Sequence, residues 1–226
     1  MRIYSLLKQQ RPCVIEQSDK TRRSLSWSSS NWSGFALSGK KGAYHRISAE
    51  WNVPFVRPTR YTSFSSAWIG IDGFQNSNLI QTGTGHDFVN GKSQYYAWWE
   101  ILPATATIIA KPVHPGDRMK AIIVKRTFNK WLISLQNLTR NWTFRTIQRY
   151  TGPQTSAEWI VEAPQVGGVN TRLARLTPVA FTNYRVNGKI PRLTQADRII
   201  MIQGNKIISI PTRSDQTGNT FVIRGS

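Results

Sequence analysis

Cysteine is all but missing: Cys13 is the single thiol in 226 residues. That excludes an intrachain disulfide and leaves no cysteine set for zinc. Histidine is also scarce. His45, His86 and His114 stand far apart without metal-ligand spacing, so they are expected as ordinary surface or hydrogen-bonded residues, and no metal or other cofactor is expected. No apolar run reaches the roughly 18 residues that a membrane-spanning helix needs. Neither a Gly-x-Ser-x-Gly elbow nor a His-Glu-x-x-His pair occurs, there is no phosphate-cradling glycine loop, and the histidines have no triad context. Acids number 11 against 30 Lys and Arg. What remains for chemistry is a small set of carboxylates and carboxamides among many aromatics.

Size and aromatic content are ample. A hydrophobic fraction of 39% with nine Trp can build a real core, which a disordered chain could not. The length suits one generous domain. The formal charge of +19 is spread along the chain. It suggests nucleic acid at first, but no clustered basic helix or Gly-flanked aromatic motif is present. Nucleic acid is therefore not expected as a partner, and a solvated basic surface, attracted to an anionic wall or membrane, is the simpler account. Residues 1–30 are basic and Ser-rich and read as a leader or extension; residues 31–226 read as a single domain. The start, Met1-Arg-Ile-Tyr-Ser-Leu-Leu-Lys, has too short an apolar core for a secretory signal.

From Asn31 onward, short β-type runs recur between Gly, Pro, Asn and Asp. They include Trp32–Leu37, His45–Val53, Ala67–Ile71, Gln94–Ile101, Met119–Lys125, Lys130–Asn137 and Trp142–Ile147. Glu158–Glu162, Arg198–Gln203, Lys206–Ile210 and Thr220–Arg224 continue the series. Asn90-Gly91 and Gly204-Asn205 have the chemistry of tight hairpin turns. With no sustained helical period, the pattern predicts an all-β, antiparallel two-sheet sandwich or barrel.

Two of the runs carry unexpected side chains. Leu79-Ile-Gln81-Thr-Gly and Ala157-Glu-Trp-Ile-Val-Glu162 place a carboxamide and carboxylates inside strand-like sequence, where acids are depleted unless used. Glu158 and Glu162, four apart in a strand, point to one face. A carboxylate held by a stiff sheet is a candidate acid or base.

These segments belong to an ordered set. Asn31-Trp-Ser-Gly, Ala49-Glu-Trp-Asn-Val-Pro54, Ala67-Trp-Ile-Gly-Ile-Asp-Gly73 and Leu79-Ile-Gln-Thr-Gly83 come first. Tyr96-Ala-Trp-Trp-Glu-Ile-Leu-Pro103, Val113-His-Pro-Gly-Asp117, Gln136-Asn-Leu-Thr139 and the Glu162 segment follow. In this order they resemble the glutamic peptidases (eqolisins), from about Asn31 to the C-terminus, with a looser match in the last strands. The resemblance implies a concanavalin-like sandwich with one sheet curved around a substrate cleft. It also implies secretion, a polypeptide substrate, a monomer, and acid endopeptidase activity insensitive to pepstatin-type inhibitors. By motif, Gln81 and Glu162 are the catalytic pair: Glu162 as general base and acid toward a water, Gln81 as water-positioning and oxyanion-stabilising donor. Trp68, Asp72, Trp98 and Glu100 would line the cleft or support the pair, and Trp32 would border it. Core packing for the Trp and a buried hydrogen bond for the acids are the plainer alternatives. Glu158 either tunes Glu162 as a like charge or pairs with a basic residue.

Departures from the family pattern are also visible. Its fungal members are acidic, whereas this chain is basic. The acid expected shortly after Gln-Thr-Gly is replaced by Thr84-Gly-His, with Asp87 displaced. A lectin-type binding module and an anionic-surface binder are the competing functions. The first rests on aromatic richness and fold class, the second on charge.

Overall fold

The computed structural model describes residues 15–16, 26–213 and 218–225. Most of the leader expected over 1–30 therefore lies outside the described residues, as does Cys13. Among the described residues eighteen strands occur: β1 (Ile15–Glu16), β2 (Trp27–Ser29), β3 (Trp32–Ser38), β4 (Arg46–Asn52), β5 (Ser66–Ile71) and β6 (Ile80–Val89). Then come β7 (Lys92–Ile101), β8 (Thr107–Ile109), β9 (Arg118–Lys125), β10 (Lys130–Asn137), β11 (Trp142–Arg149) and β12 (Ser156–Glu162). The last six are β13 (Gln165–Val166), β14 (Val169–Asn170), β15 (Val179–Val186), β16 (Arg198–Gln203), β17 (Lys206–Arg213) and β18 (Thr220–Gly225). Among the described residues the only helical element is a 3₁₀ turn, Gln195–Asp197.

The hydrogen-bonded path runs β11-β10-β9-β4-β15-β18-β17-β16-β3-β12-β5-β6-β7-β8. Pairing along it is antiparallel, and β2 adds to β16 in parallel. The expected two sheets are thus joined through β18, β17 and β16 into one path that folds back on itself. The first layer is β3-β12-β5-β6-β7-β8 and the second is β11-β10-β9-β4-β15. One core lies between them, in which Ile69, Ile80, Trp159 and Val161 meet Ile47, Trp51, Met119, Ile123 and Phe181. Two indoles tie the layers directly: Trp159 Nε1 donates to the Ser48 carbonyl at 3.1 Å and Trp51 Nε1 to Thr84 Oγ1 at 3.0 Å. His86 is buried at this core, with Nε2 2.7 Å from Thr84 Oγ1.

Turn chemistry worked as expected. Asn90 and Gly91 (φ 51° and 75°) link β6 to β7, and Gly204 and Asn205 (φ 54° and 62°) link β16 to β17. Both are two-residue turns with positive φ at each centre, which match the twist of a hairpin. The short strands β1, β2, β8, β13 and β14 were not among the expected runs; of the longer ones β15 was missed, and β6 was foreseen only through its Leu79–Gly83 start. β15 is interrupted by a register shift between Thr182 and Arg185, which blurs its alternation. β6, one of the two longest, carries Gly83 and Gly85, and glycine weakens a strand signal. Neighbouring side chains explain both. A Cβ on Gly83 would lie 2.5 Å from the Trp68 Cβ, and one on Gly85 2.1 Å from the Tyr96 ring.

Candidate active site

Each strand of the first layer has one face on the core and one facing away from it. The outward residues form three transverse rows. Glu162, Ser66, Gly85 and Tyr96 make the first; Ile160, Trp68, Gly83 and Trp98 the second; Glu158, Gly70, Gln81 and Glu100 the third. Trp32 pairs with Glu162 from β3. Three glycines therefore occupy the middle of this face. The missing side chain of Gly70 admits the Trp68 indole, and that of Gly83 lets β6 approach the Trp68 Cα and Cβ.

Trp68 organises the site. Its Nε1 donates to Glu162 Oε2 at 2.8 Å, and its ring meets Trp32 edge-on at 4.9 Å. Asn31 Nδ2 donates to Glu162 Oε1 at 3.3 Å. Asn31 is in turn fixed by Ser29, whose hydroxyl donates to Asn31 Oδ1 and accepts from the Asn31 and Trp32 amides. Neutral donors thus approach both oxygens of Glu162. At the far row, Gln81 Nε2 donates to Glu100 Oε2 at 2.6 Å, which orients the carboxamide. Gln81, Glu100 and Glu162 are all fully buried. Trp98 belongs to the same apolar cluster as Trp32, Trp68 and Ile160, with Trp27 packed against it.

Electrostatics separates the acids. Burial, and then the neighbouring Glu162, pushes Glu100 up to about 9, against a smaller lowering by Gln81. Glu100 is consequently a neutral acid over the whole acidic range. Burial also holds Glu158 well above the ordinary carboxylate range. Asp72 adds to that shift, while the Ser156 hydroxyl and the Phe74 N–H oppose it.

Two expectations need correcting. Glu158 has no ion pair among the described residues, and the like charge acting on it is Asp72, not Glu162. It lies across Gly70 from Gln81 and two rows from Glu162. Asp72, expected beside the pair, points elsewhere because β5 ends before it and its φ is 67°. Its carboxylate accepts from Tyr150 Oη at 2.6 Å and from the Gln154 and Thr155 amides at 2.8 Å each. It anchors the loop after β11 instead of joining Gln81 and Glu162 on their face. By contrast Gln81, Glu162, Trp68, Trp98, Glu100 and Trp32 share one face.

Three residues escaped assignment from sequence. Asn31 was visible only as the start of a motif and as a glycosylation-type triplet; its burial at 2% rules out modification in the folded chain. Tyr96 fills the space above Gly85, and its hydroxyl donates to Asp87 at 3.0 Å. Asp87 also accepts from the Ser65 amide at 3.3 Å. The displaced acid is thus engaged by the side chain that occupies the expected position. Nothing in a linear reading pairs residues 85 and 96. Among the described residues, no group of His, Cys, Asp and Glu is placed to hold a metal, and no helix is long and apolar enough to cross a membrane.

The peptidase A4 family model matches residues 30–224. The chain belongs to that family. It is therefore a hydrolase of the glutamic peptidase type. Aspergillopepsin-2 of Aspergillus niger is 26% identical over 200 residues, 76% of this chain and 70% of that protein. Scytalido-glutamic peptidase, solved with a transition state analog inhibitor, superposes with a TM-score of 0.74 at 23% identity over 87% of this chain and 98% of its own. SCP-B, a member of the eqolisin family of peptidases solved with the tripeptide Ala-Ile-His, gives 0.66 at 23% identity over 87% and 98%. These likenesses carry the sandwich fold; the family match carries the activity class.

Proposed function

We propose that this peptidase is an acid endopeptidase in which Glu162 and Gln81 act together on one water molecule. Glu162 takes a proton from the water as its oxygen attacks the scissile carbonyl carbon. When the C–N bond breaks, the same proton passes to the leaving amine. Gln81 directs an amide N–H at the oxygen that gains negative charge. A carboxylate base keeps working where imidazole would already be protonated, and a carboxamide donates without titrating.

The observation that carries this reading is the shared face. Glu162 is held there by Trp68 and Asn31, and Gln81 by an acid that keeps its proton. A neutral Glu100 adds no negative charge against the developing oxyanion. Trp32, Trp68 and Trp98, packed in one buried apolar cluster, support the pair from the same face, and the substrate is an extended, unfolded polypeptide. The enzyme acts as a secreted monomer on such chains, with residues 31–226 as the catalytic domain and 1–30 as a leader. Pepstatin-type inhibitors do not block it.

A digest of casein or denatured globin across the acid range tests the assignment. Gln81→Ala removes one oxyanion donor, an effect of about 10²–10³ in rate; Glu162→Gln removes the base and abolishes turnover. Wild-type rates from either folded variant reject the dyad.

A further inference from the structure

The formal charge understates how positive the exterior is. Of the carboxylates whose side chains are described, Glu50, Asp72, Asp87, Glu100, Asp117, Glu158 and Glu162 are buried, and Asp197 is half-buried. Glu50 and Asp117 are further neutralised by Arg118, Lys120 and Arg140. The cations stay outside with almost no acid to offset them.

Five of them, Arg46, Lys130, Arg145, Arg149 and Arg185, lie on the outward face of the second layer. There Trp131, Ile133, Ile123, Ala121 and Ile47 turn into the core, so their alternate neighbours face away from it. The outward rows read Arg149 and Lys130, then Ile147, Leu132, Val124 and Arg46, then Arg145, Ser134, Ile122, Ser48 and Arg185. An apolar strip thus runs across the sheet with basic side chains along both of its sides; the next row, Thr143, Gln136, Lys120, Glu50 and Thr182, carries the Glu50–Lys120 ion pair. Ile147 is 62% exposed on the edge strand. At the β9–β10 turn, Phe128 is 87% exposed between Arg126 and Lys130. Solvent-facing sheets are normally polar, and protruding aromatics flanked by cations need a reason.

We infer that this face, with Phe128 at its rim, docks on the surface of an anionic lipid bilayer. Five strands at about 4.8 Å spacing make a broad platform, too wide for a major groove of about 12 Å. Its rows contain no aromatic on which single-stranded bases could stack. A bilayer surface satisfies both components: Ile147 and Phe128 enter the headgroup boundary while Arg46, Lys130, Arg145 and Arg149 meet anionic headgroups. The peptidase site lies on the outward face of the other layer, so docking leaves it turned away from the lipid. The inference does not depend on the identity of the catalytic pair.

The test is co-sedimentation of the full chain with vesicles of phosphatidylcholine containing about 30% phosphatidylglycerol, with pure phosphatidylcholine as control, at low and high salt. Expected is a preference of tenfold or more, on the order of two basic contacts, for anionic vesicles, lost at high salt. Arg145→Glu with Arg149→Glu lowers partitioning at least tenfold, an effect of about that size for two reversed contacts. Phe128→Ala lowers it several-fold, while Arg175→Glu, a reversal off this face, has a minor effect. Melting curves matching wild type confirm that the variants are folded. Equal binding to neutral vesicles, or insensitivity to the double reversal, overturns the inference. So does duplex DNA bound as tightly, with Phe128→Ala making no difference, since that outcome reports charge alone.

Discussion

Glu100→Gln is the sharpest probe of the site's electrostatics. The folded-state acid titrates near 9 against an ordinary 4.5. Between those values the folded chain binds a proton that the unfolded chain has released, so stability falls as pH rises through this window. Each unit is worth about 1.36 kcal/mol, which makes the loss between pH 4.5 and pH 8 about 5 kcal/mol as an upper bound. Glutamine is nearly isosteric, keeps an acceptor for Gln81 Nε2, and cannot ionise. The variant should match wild type at pH 4 and exceed it at pH 8. At ~2–4 °C per kcal/mol for a chain of this size, the midpoint gain at pH 8 is a few degrees, with a ceiling of about 10–20 °C. Surface self-repulsion also varies with pH, since the chain grows more positive in acid. It acts equally on both proteins, so the difference between their melting curves isolates residue 100. Parallel pH profiles for the two would refute the claim that burial holds Glu100 neutral.

Two further substitutions address how the site is built. Trp68→Phe keeps an aromatic ring over the glycine floor but deletes the donor to Glu162 Oε2; kcat should fall about 10–100-fold, matching the ~1.5–3 kcal/mol of a hydrogen bond to a charged group, with KM changing less. An unchanged kcat would mean that this bond does not orient Glu162. Gly83→Ala would place a Cβ 2.3 Å from the Ala67 carbonyl oxygen and 2.8 Å from the Trp68 Cα. Both are backbone atoms that cannot swing aside, so denaturant unfolding should report a loss at the upper end of the ~1–3 kcal/mol typical of overpacking. A loss under about 0.5 kcal/mol, the level of an ordinary surface change, would show that β5 and β6 are not so closely apposed.

Local chemistry was enough to establish the fold class, and the ordered motifs nominated most of the residues that share the candidate face. β-Branched and aromatic runs between turn residues announced the strands, and Asn90-Gly91 and Gly204-Asn205 formed their hairpins because positive φ is encoded in two adjacent residues. Period-two alternation by itself places Glu158 and Glu162 on one face. Strand order and register were beyond such reasoning. β3, β12, β5 and β6 come from distant parts of the chain, and only the second layer packing onto the core decides which rows align. That alignment set Trp68 in the row between Glu162 and Gln81, placed Tyr96 over Gly85, and made Asp72 an anchor for the Tyr150 loop. It also buried seven acids, and burial then raised Glu100 and Glu158 above the ordinary carboxylate range. A side chain's type is written locally, but its neighbours, and hence its charge, belong to the folded whole.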